Sequence, residues 1–411
     1  MTLPSRLRLL LDRARTSYFA IPSAACAFGL GLAVLTLSLD RGGLPFEVPI
    51  AVEEMDDARS LLTTIAATSI GVAATVFSIT IVVLSLASSQ FGPRLLRNFL
   101  KNRSSQLVLG LFVGTHIFCL AALRTAGSSW DVPQLTCLVA LGLAVVDSGA
   151  LVYFIHHTAS WVQVDRVIDV VGSALSRELQ DLARTPRHYA RTSEWRERLG
   201  DPTLLVRTRR PGYVQTQDDA LLASLAESND LTIERRVDVG EFVFEGRPIA
   251  AVWGECDEDT ASRIRGAIGI GSARSDIQDP FHLVDQLLEL SLRALSPGIN
   301  DPSTARSCLD QIANALSLAV AQPIPRPVAE DPGGGRSRSG CPRLLAKPPD
   351  LAGLCERAFG EIRRAGRNQW QIIRRLDEVL RLLIDAARED DVREVLVAER
   401  GRLPPEPLEA S

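Results

Sequence analysis

The sequence predicts a membrane α-helical protein with four transmembrane helices, followed by a cytoplasmic α+β region. Three observations carry this. Residues 60–92 run for 33 positions without a formal charge, longer than the ~20 residues a helix needs to cross a bilayer. Three further apolar runs flank that stretch, at about residues 17–39, 104–123 and 132–154. Beyond about residue 200 the pattern changes to short β-branched runs alternating with amphipathic helical segments. With 411 residues and 46% hydrophobic content, the chain can hold a membrane domain and at least one soluble domain.

In chain order, residues 1–16 form a basic segment carrying Arg6, Arg8, Arg13 and Arg15. The first span follows at 17–39, too long for a signal-peptide core and so read as an uncleaved signal-anchor. The loop at 40–59 is acidic, with Glu47, Glu53, Glu54, Asp56 and Asp57 against two arginines. Behind the second span stand Arg94, Arg97, Lys101 and Arg103. Basic residues thus cluster on alternate loops, which predicts a multi-pass protein of the bacterial cytoplasmic (inner) membrane with both termini cytoplasmic. Phe91, Leu95, Leu96, Phe99 and Leu100 separate from the basic residues as on an amphipathic helix lying along the membrane surface, with Pro93 in its first turn. That helix reads either as a headgroup anchor or as a coupling element to the soluble part.

Inside the second span, Thr64, Thr68, Gly71, Thr75, Ser78, Ser85 and Ser89 recur at steps of four, three, four, three, seven and four, with Val82 filling the one gap. The average step of about 3.5 residues draws one stripe along a helix. Small and hydroxylated rows pack helices closely, or face water in a pore. Both readings stay open, and the number of hydroxyls on one line is the argument for water. Two ionisable residues lie deep in later spans, His116 in the third and Asp147 in the fourth. Antiparallel spans place them within roughly 10 Å along the membrane normal, from the rise of about 1.5 Å per residue. They read as a proton-sensitive pair or an ion-attracting ring, or else as a protonated carboxyl bonded to a hydroxyl beside a packed histidine.

The transmembrane domain is read as 17–157 and a helical extension as 158–200, whose apolar positions Val164, Ile168, Val171, Leu175, Leu179 and Leu182 carry the fourth span onward as a helix. An α+β domain follows at 201–322. LLVRT, GYVQTQ, LTIERRV, EFVFEG and RPIAAVWG read as strands, with a helix over DDALLASLAESND. The segment RVDVGEFVFEGRPIAAVWG resembles the hairpin of biotinyl/lipoyl-like barrel-sandwich domains, with Gly240 and Gly246 at turns, but holds no lysine for a prosthetic group. Two helices then flank SPGINDP, where Asp301 reads as an N-cap and Pro302 as the first helical residue. Residues 323–350, rich in Pro, Gly and Ser, read as a disordered linker. Residues 351–400 form C-terminal helices that return to the preceding pair as a bundle, and 401–411 is a loose tail.

Four motifs together carry a resemblance: VFSITIVVLSLASSQFGPRLLRNFL (76–100), YFIHH (153–157), RPGYVQ (210–215) and LRALSPGINDPSTARSCLD (292–310). In this order they resemble the bacterial predicted membrane proteins grouped as domain of unknown function 2254, closely over about 5–320 and more loosely over 350–400. The resemblance implies a multi-span inner-membrane protein with a cytoplasmic carboxy-terminal region, and no activity or functional residue to transfer.

Composition removes several chemistries. Of 45 basic residues only Lys101 and Lys347 are lysines, so no Schiff-base or lipoyl lysine lies between them. The seven cysteines form no CxxC pair, which argues against a disulfide framework, a zinc site or any other metal site. No nucleophile motif or convergent carboxylate pair marks an enzyme, so no catalytic residue and no cofactor are expected. The basic residues gather at the membrane edge, away from any nucleic-acid footprint. The expected partners are the lipid bilayer and further copies of the chain, with any soluble ligand unassigned. The sequence therefore points to a homo-oligomeric channel or transport-like protein with a polar path along the second span. The alternative is a non-transporting membrane sensor or scaffold whose soluble domain binds a ligand or partner.

Overall fold

The computed structural model describes residues 20–42, 52, 54–91, 103–125, 132–161, 163–184, 190–191, 199–322, 343–347 and 349–405. The chain divides into two compact units, 1–163 and 164–411.

The first unit holds four helices: α1 (Ala20–Gly42), α2 (Met55–Phe91), α3 (Arg103–Thr125) and α4 (Gln134–Trp161). All four are long and apolar enough to cross a membrane. This is the expected four-helix membrane class. The third span is the centre of the unit, because α3 packs on α1, α2 and α4 and half of its apolar stretch is buried, against 17% in each of the others. Backbones meet closely where α3 crosses α1. A Cβ on Gly29 would fall 2.3 Å from the Gly114 carbonyl oxygen, and one on Gly110 3.3 Å from the Ala25 methyl. Gly110 and Gly114 are spaced as in GxxxG, the arrangement that lets membrane helices approach without side chains between them. At one end of the unit the Asp40 carboxylate receives the Leu135 and Thr136 amides (2.9 and 3.0 Å) and the Thr136 hydroxyl (2.7 Å). Residue 40 of α1 thereby caps α4, satisfying amides that a helix start leaves open. Gln134 and Val52 exchange two more bonds beside it.

The second unit begins with α5 (Val164–Arg184). The fourth span does not run on as one helix: α4 ends at Trp161 and α5 is a separate element from Val164. A β-rich module follows, with β1 (Ala190–Arg191), β2 (Leu204–Arg207), β3 (Gly212–Gln217), α6 (Asp219–Ser228), β4 (Thr232–Arg235), β5 (Phe242–Val243), β6 (Pro248–Trp253), α7 (Glu258–Gly266) and β7 (Ile268–Gly271). Then come α8 (Pro280–Ala294), α9 (Pro302–Val320), β8 (Leu344–Ala346), α10 (Leu351–Ala365), α11 (Trp370–Ala386) and α12 (Asp390–Gly401).

The strands form two sheets, ordered β1-β8-β4-β6-β2 and β5-β3-β7. The expected barrel-sandwich hairpin is absent: β5 pairs with β3 in the small sheet and β6 with β2 and β4 in the large one. Gly246 turns the chain between them at φ +79°, a conformation that favours glycine. Residues 344–346, read as linker from their Pro- and Gly-rich surroundings, are a strand instead. Their side chains are fully buried, and they run parallel to both β1 and β4. The module's core gathers Val214, Leu222, Ile233, Val252 and Ile264 between the sheets and helices α6 and α7. Helices α5, α8, α9, α10 and α11 form the bundle, with α8 and α9 packed on α5, α8 on α10, α9 on α11, and α12 closing against α10 and α11. As its sequence indicates, Asp301 caps α9, accepting the Ser303 and Thr304 amides at 3.1 Å.

Candidate functional site: two polar faces of the second span

Helix α2 carries two polar faces. Its buried row is Ala58, Leu62, Ile65, Ala66, Ser69, Ala73 and Val76, the three-and-four spacing of a face laid on neighbours. Ser69 is the one polar residue in that row, and its hydroxyl donates to Asp147 Oδ2 at 3.0 Å. Thr115 of α3 donates to Asp147 Oδ1 at 3.2 Å. Ser69, Thr115 and Asp147 are 4%, 2% and 4% exposed, so one hydroxyl from each of two helices serves each oxygen of an interior carboxylate. Next to Thr115, His116 Nδ1 lies 2.9 Å from the Ala66 carbonyl. A carbonyl only accepts, so Nδ1 carries the proton. His116 and Asp147 each bond to α2, at Ala66 and at Ser69. Ser69 and Thr115 were not singled out in the sequence, where serine and threonine are frequent in every span.

The stripe lies on the other side. Thr64, Thr68, Gly71, Thr75, Ser78 and Ser85 are all exposed in the single chain, and at 3.6 residues per turn they sit roughly 150° from the buried row. A Cβ on Gly71 would meet nothing within 4 Å. No helix of this chain covers the stripe among the described residues. The Thr64, Thr68 and Thr75 hydroxyls donate back to the carbonyls four residues earlier, at 2.8, 2.6 and 3.1 Å. Ser89 lies in α2 and Arg103 opens α3, but their side chains fall outside the described residues, as do Arg94, Arg97 and Lys101 altogether. The structure thus does not bring the stripe and the Asp147 cluster together; they occupy opposite faces of one helix.

The second unit has its own charged centre. Arg274 donates through Nε and Nη2 to Asp279 (2.9 and 2.8 Å) and through Nη1 to Asp285 (2.9 Å). Asp285 also receives Arg357 Nε of α10 at 2.5 Å. Asp279 caps α8 by accepting the His282 amide at 2.9 Å. Gly240, at φ +86°, lets the β-module loop close over this pair, since a Cβ there would lie 2.4 Å from Asp279 Oδ2. Burial pushes His282 below the ordinary histidine value and the Arg274 charge adds to this, outweighing Asp279, Asp276 and Asp285. Burial likewise raises Glu178 on α5, against the Gln278 amide, with Asp181 and Asp279 adding to the rise. The network ties Arg274, which follows β7, to α8 and α10. The Cys308 and Cys355 thiols are pushed up to about 12 by burial, which leaves no thiolate nucleophile at those positions. Among the described residues no three His, Cys, Asp or Glu side chains come together in a metal-binding group.

Comparison with known proteins agrees with a membrane assignment. Uncharacterized proteins of Mycobacterium tuberculosis and of Mycobacterium bovis are each 28% identical over 393 residues, covering 92% of this chain and 73% of the relative. No solved structure matches. The family model for predicted membrane proteins of domain of unknown function 2254 matches residues 15–382, and the chain belongs to that family.

Proposed function

We propose that this protein is a homo-oligomeric channel or transport-like protein of the bacterial cytoplasmic membrane, with both termini cytoplasmic. The stripe faces of α2 from several copies surround a narrow polar path, and the second unit is its cytoplasmic regulatory domain. One observation carries the reading: six stripe positions are exposed in the single chain while the opposite face of the same helix is packed. A row of small and hydroxylated residues turned out of its own bundle is a surface that a second copy or water satisfies better than acyl chains do. Hydroxyls that return their protons to their own helix still present lone pairs outward, the chemistry that substitutes for water around a cation. Asp147 and His116, on the far side, act on the path by fixing the rotation of α2. Current across reconstituted planar bilayers tests this. The wild type is expected to conduct, and Ser78→Leu or Ser85→Leu to abolish conduction while leaving the oligomer's mass in detergent unchanged. A silent wild type, or full currents in both variants, removes the proposal.

A second reading, a non-transporting membrane sensor or scaffold, draws support from the same threonines. Because Thr64, Thr68 and Thr75 satisfy their protons within the helix, the stripe is also suited to dry contact with another span. On that reading stripe substitutions change assembly alone, and no variant or wild type carries current.

A further inference from the structure

Two turns come together at one end of the second unit's bundle. There the turn between α8 and α9 lies beside the turn between α10 and α11, held by Gln369 Nε2 donating to Asn300 Oδ1 at 2.7 Å. Asn300 sits at φ +48°, the left-handed region that asparagine tolerates. The two turns push out apolar side chains: Ile299 and Trp370 are each 55% exposed. Around them arginines outnumber the acids. Across residues 293–306 and 364–374 the charged residues are five arginines and one aspartate, Asp301, and that carboxylate is engaged in capping α9. Arg306, Arg367 and Arg374 are exposed. Arg364 and Arg374 reach Glu361 and Glu378 in exposed pairs, which water screens and which hold the guanidinium groups only weakly.

We propose that this end of the bundle docks on an anionic phospholipid surface, with Ile299 and Trp370 entering the headgroup layer and Arg306, Arg367 and Arg374 pairing with lipid phosphates. Tryptophan favours the membrane–water interface, where its ring is half apolar and half wetted. Arginines beside an apolar tip supply the attraction to anionic lipid that such a tip alone lacks. The charge complementarity by itself would also suit a nucleic acid. The protruding isoleucine decides for lipid, because it has nothing to stack on a base, and the chain's own four spans keep lipid at high effective concentration.

Hydrogen exchange of the full chain in nanodiscs tests this. Discs of phosphatidylcholine are compared with discs in which part of the lipid is phosphatidylglycerol. Exchange of residues 296–300 and 366–371 is expected to slow several-fold in the anionic discs. Each arginine near an anionic surface contributes roughly five-fold to binding, so the Arg306→Gln, Arg367→Gln, Arg374→Gln triple variant should lose the slowing. Unchanged exchange in α5 and α8 reports that the variant is folded. Ile299→Ser, which removes the apolar tip and keeps every charge, should weaken the effect and serves if the triple variant does not fold. Equal exchange in both kinds of disc overturns the proposal. So does slowing that arises only when an RNA oligonucleotide is added to phosphatidylcholine discs.

Discussion

Replacing Arg274 by glutamine removes the one cation that two buried carboxylates share. The guanidinium makes three charge-assisted bonds of 2.8 to 2.9 Å, to side chains that are 1% (Asp279) and 6% (Asp285) exposed. Asp285 keeps Arg357; Asp279 keeps only the His282 amide among the hydrogen bonds described for it. Removing one partner of a buried ion pair costs about 3 to 5 kcal/mol, because the other charge is left in a poor solvent. Arg274 is itself 23% exposed, so water reaches part of the vacated space and the lower figure, about 3 kcal/mol, is expected. That corresponds to roughly a hundred-fold shift in local opening. Native-state hydrogen exchange of α8 and α10 in the detergent-solubilised full chain reads it directly. Adding Asp279→Asn to the glutamine variant should recover at least half the loss, since asparagine still caps a helix and carries no charge. Exchange within three-fold of wild type in the single variant, or a double variant no better than the single, would refute the reasoning.

Three further outcomes follow from the same geometry. Asp40→Ala should cost about 1 kcal/mol by stripping the start of α4 of its cap, seen as a lower thermal midpoint in detergent and faster exchange at residues 135–136. Gly29→Ala, whose new methyl meets the Gly114 carbonyl, should cost about 1 to 3 kcal/mol by overpacking, whereas Gly31→Ala, with nothing within 4 Å, should leave the midpoint unchanged or raise it. His282 has its folded value depressed below 6.5, so the unfolded chain binds the proton more readily and bundle stability should fall as pH drops below about 6.5. Glu178, with its folded value raised above 4.5, contributes with the opposite sign, so the readout is the difference in pH slope between wild type and His282→Gln.

How much of this was legible in the sequence depended on how far apart the partners lie. The four spans, the Asp301 cap and the glycine turns at 240 and 246 are set by neighbours within a few residues, and local pattern was enough for them. Strand β8 was not readable. Three apolar residues in a Pro- and Gly-rich run are no strand signal by themselves, and their partners at 190–191 and 233–234 are over a hundred residues away. Helices α7 and α12 are short, of 9 and 12 residues, and their charged faces hid the apolar positions that seat them. Nothing near Asp40 in the sequence marks it as a cap, because the helix start its carboxylate serves lies 95 residues on. The same holds for Arg274, Asp279 and Asp285: each is an ordinary surface residue by type, and only the fold makes them neighbours. The stripe was legible as a stripe, but which way it faces is a property of the row beside it.

That row decides the matter through Ser69. An α-helix turns by 100° per residue, so rotating α2 by a single position would withdraw Ser69 from Asp147 and bring Ile70 or Thr68 towards the carboxylate. Ile70 offers no donor, and an interior carboxylate that loses one is costly. The Ala66–His116 bond lies one turn away and resists the same rotation. Two polar contacts one turn apart therefore hold α2 about its own axis, against α4 at Asp147 and against α3 at His116. With α2 held so, Thr64 to Ser85 have one direction left to face, away from α3. The outward stripe is thus a consequence of the inward carboxylate, and any change that frees Asp147 from Ser69 also frees the stripe to turn.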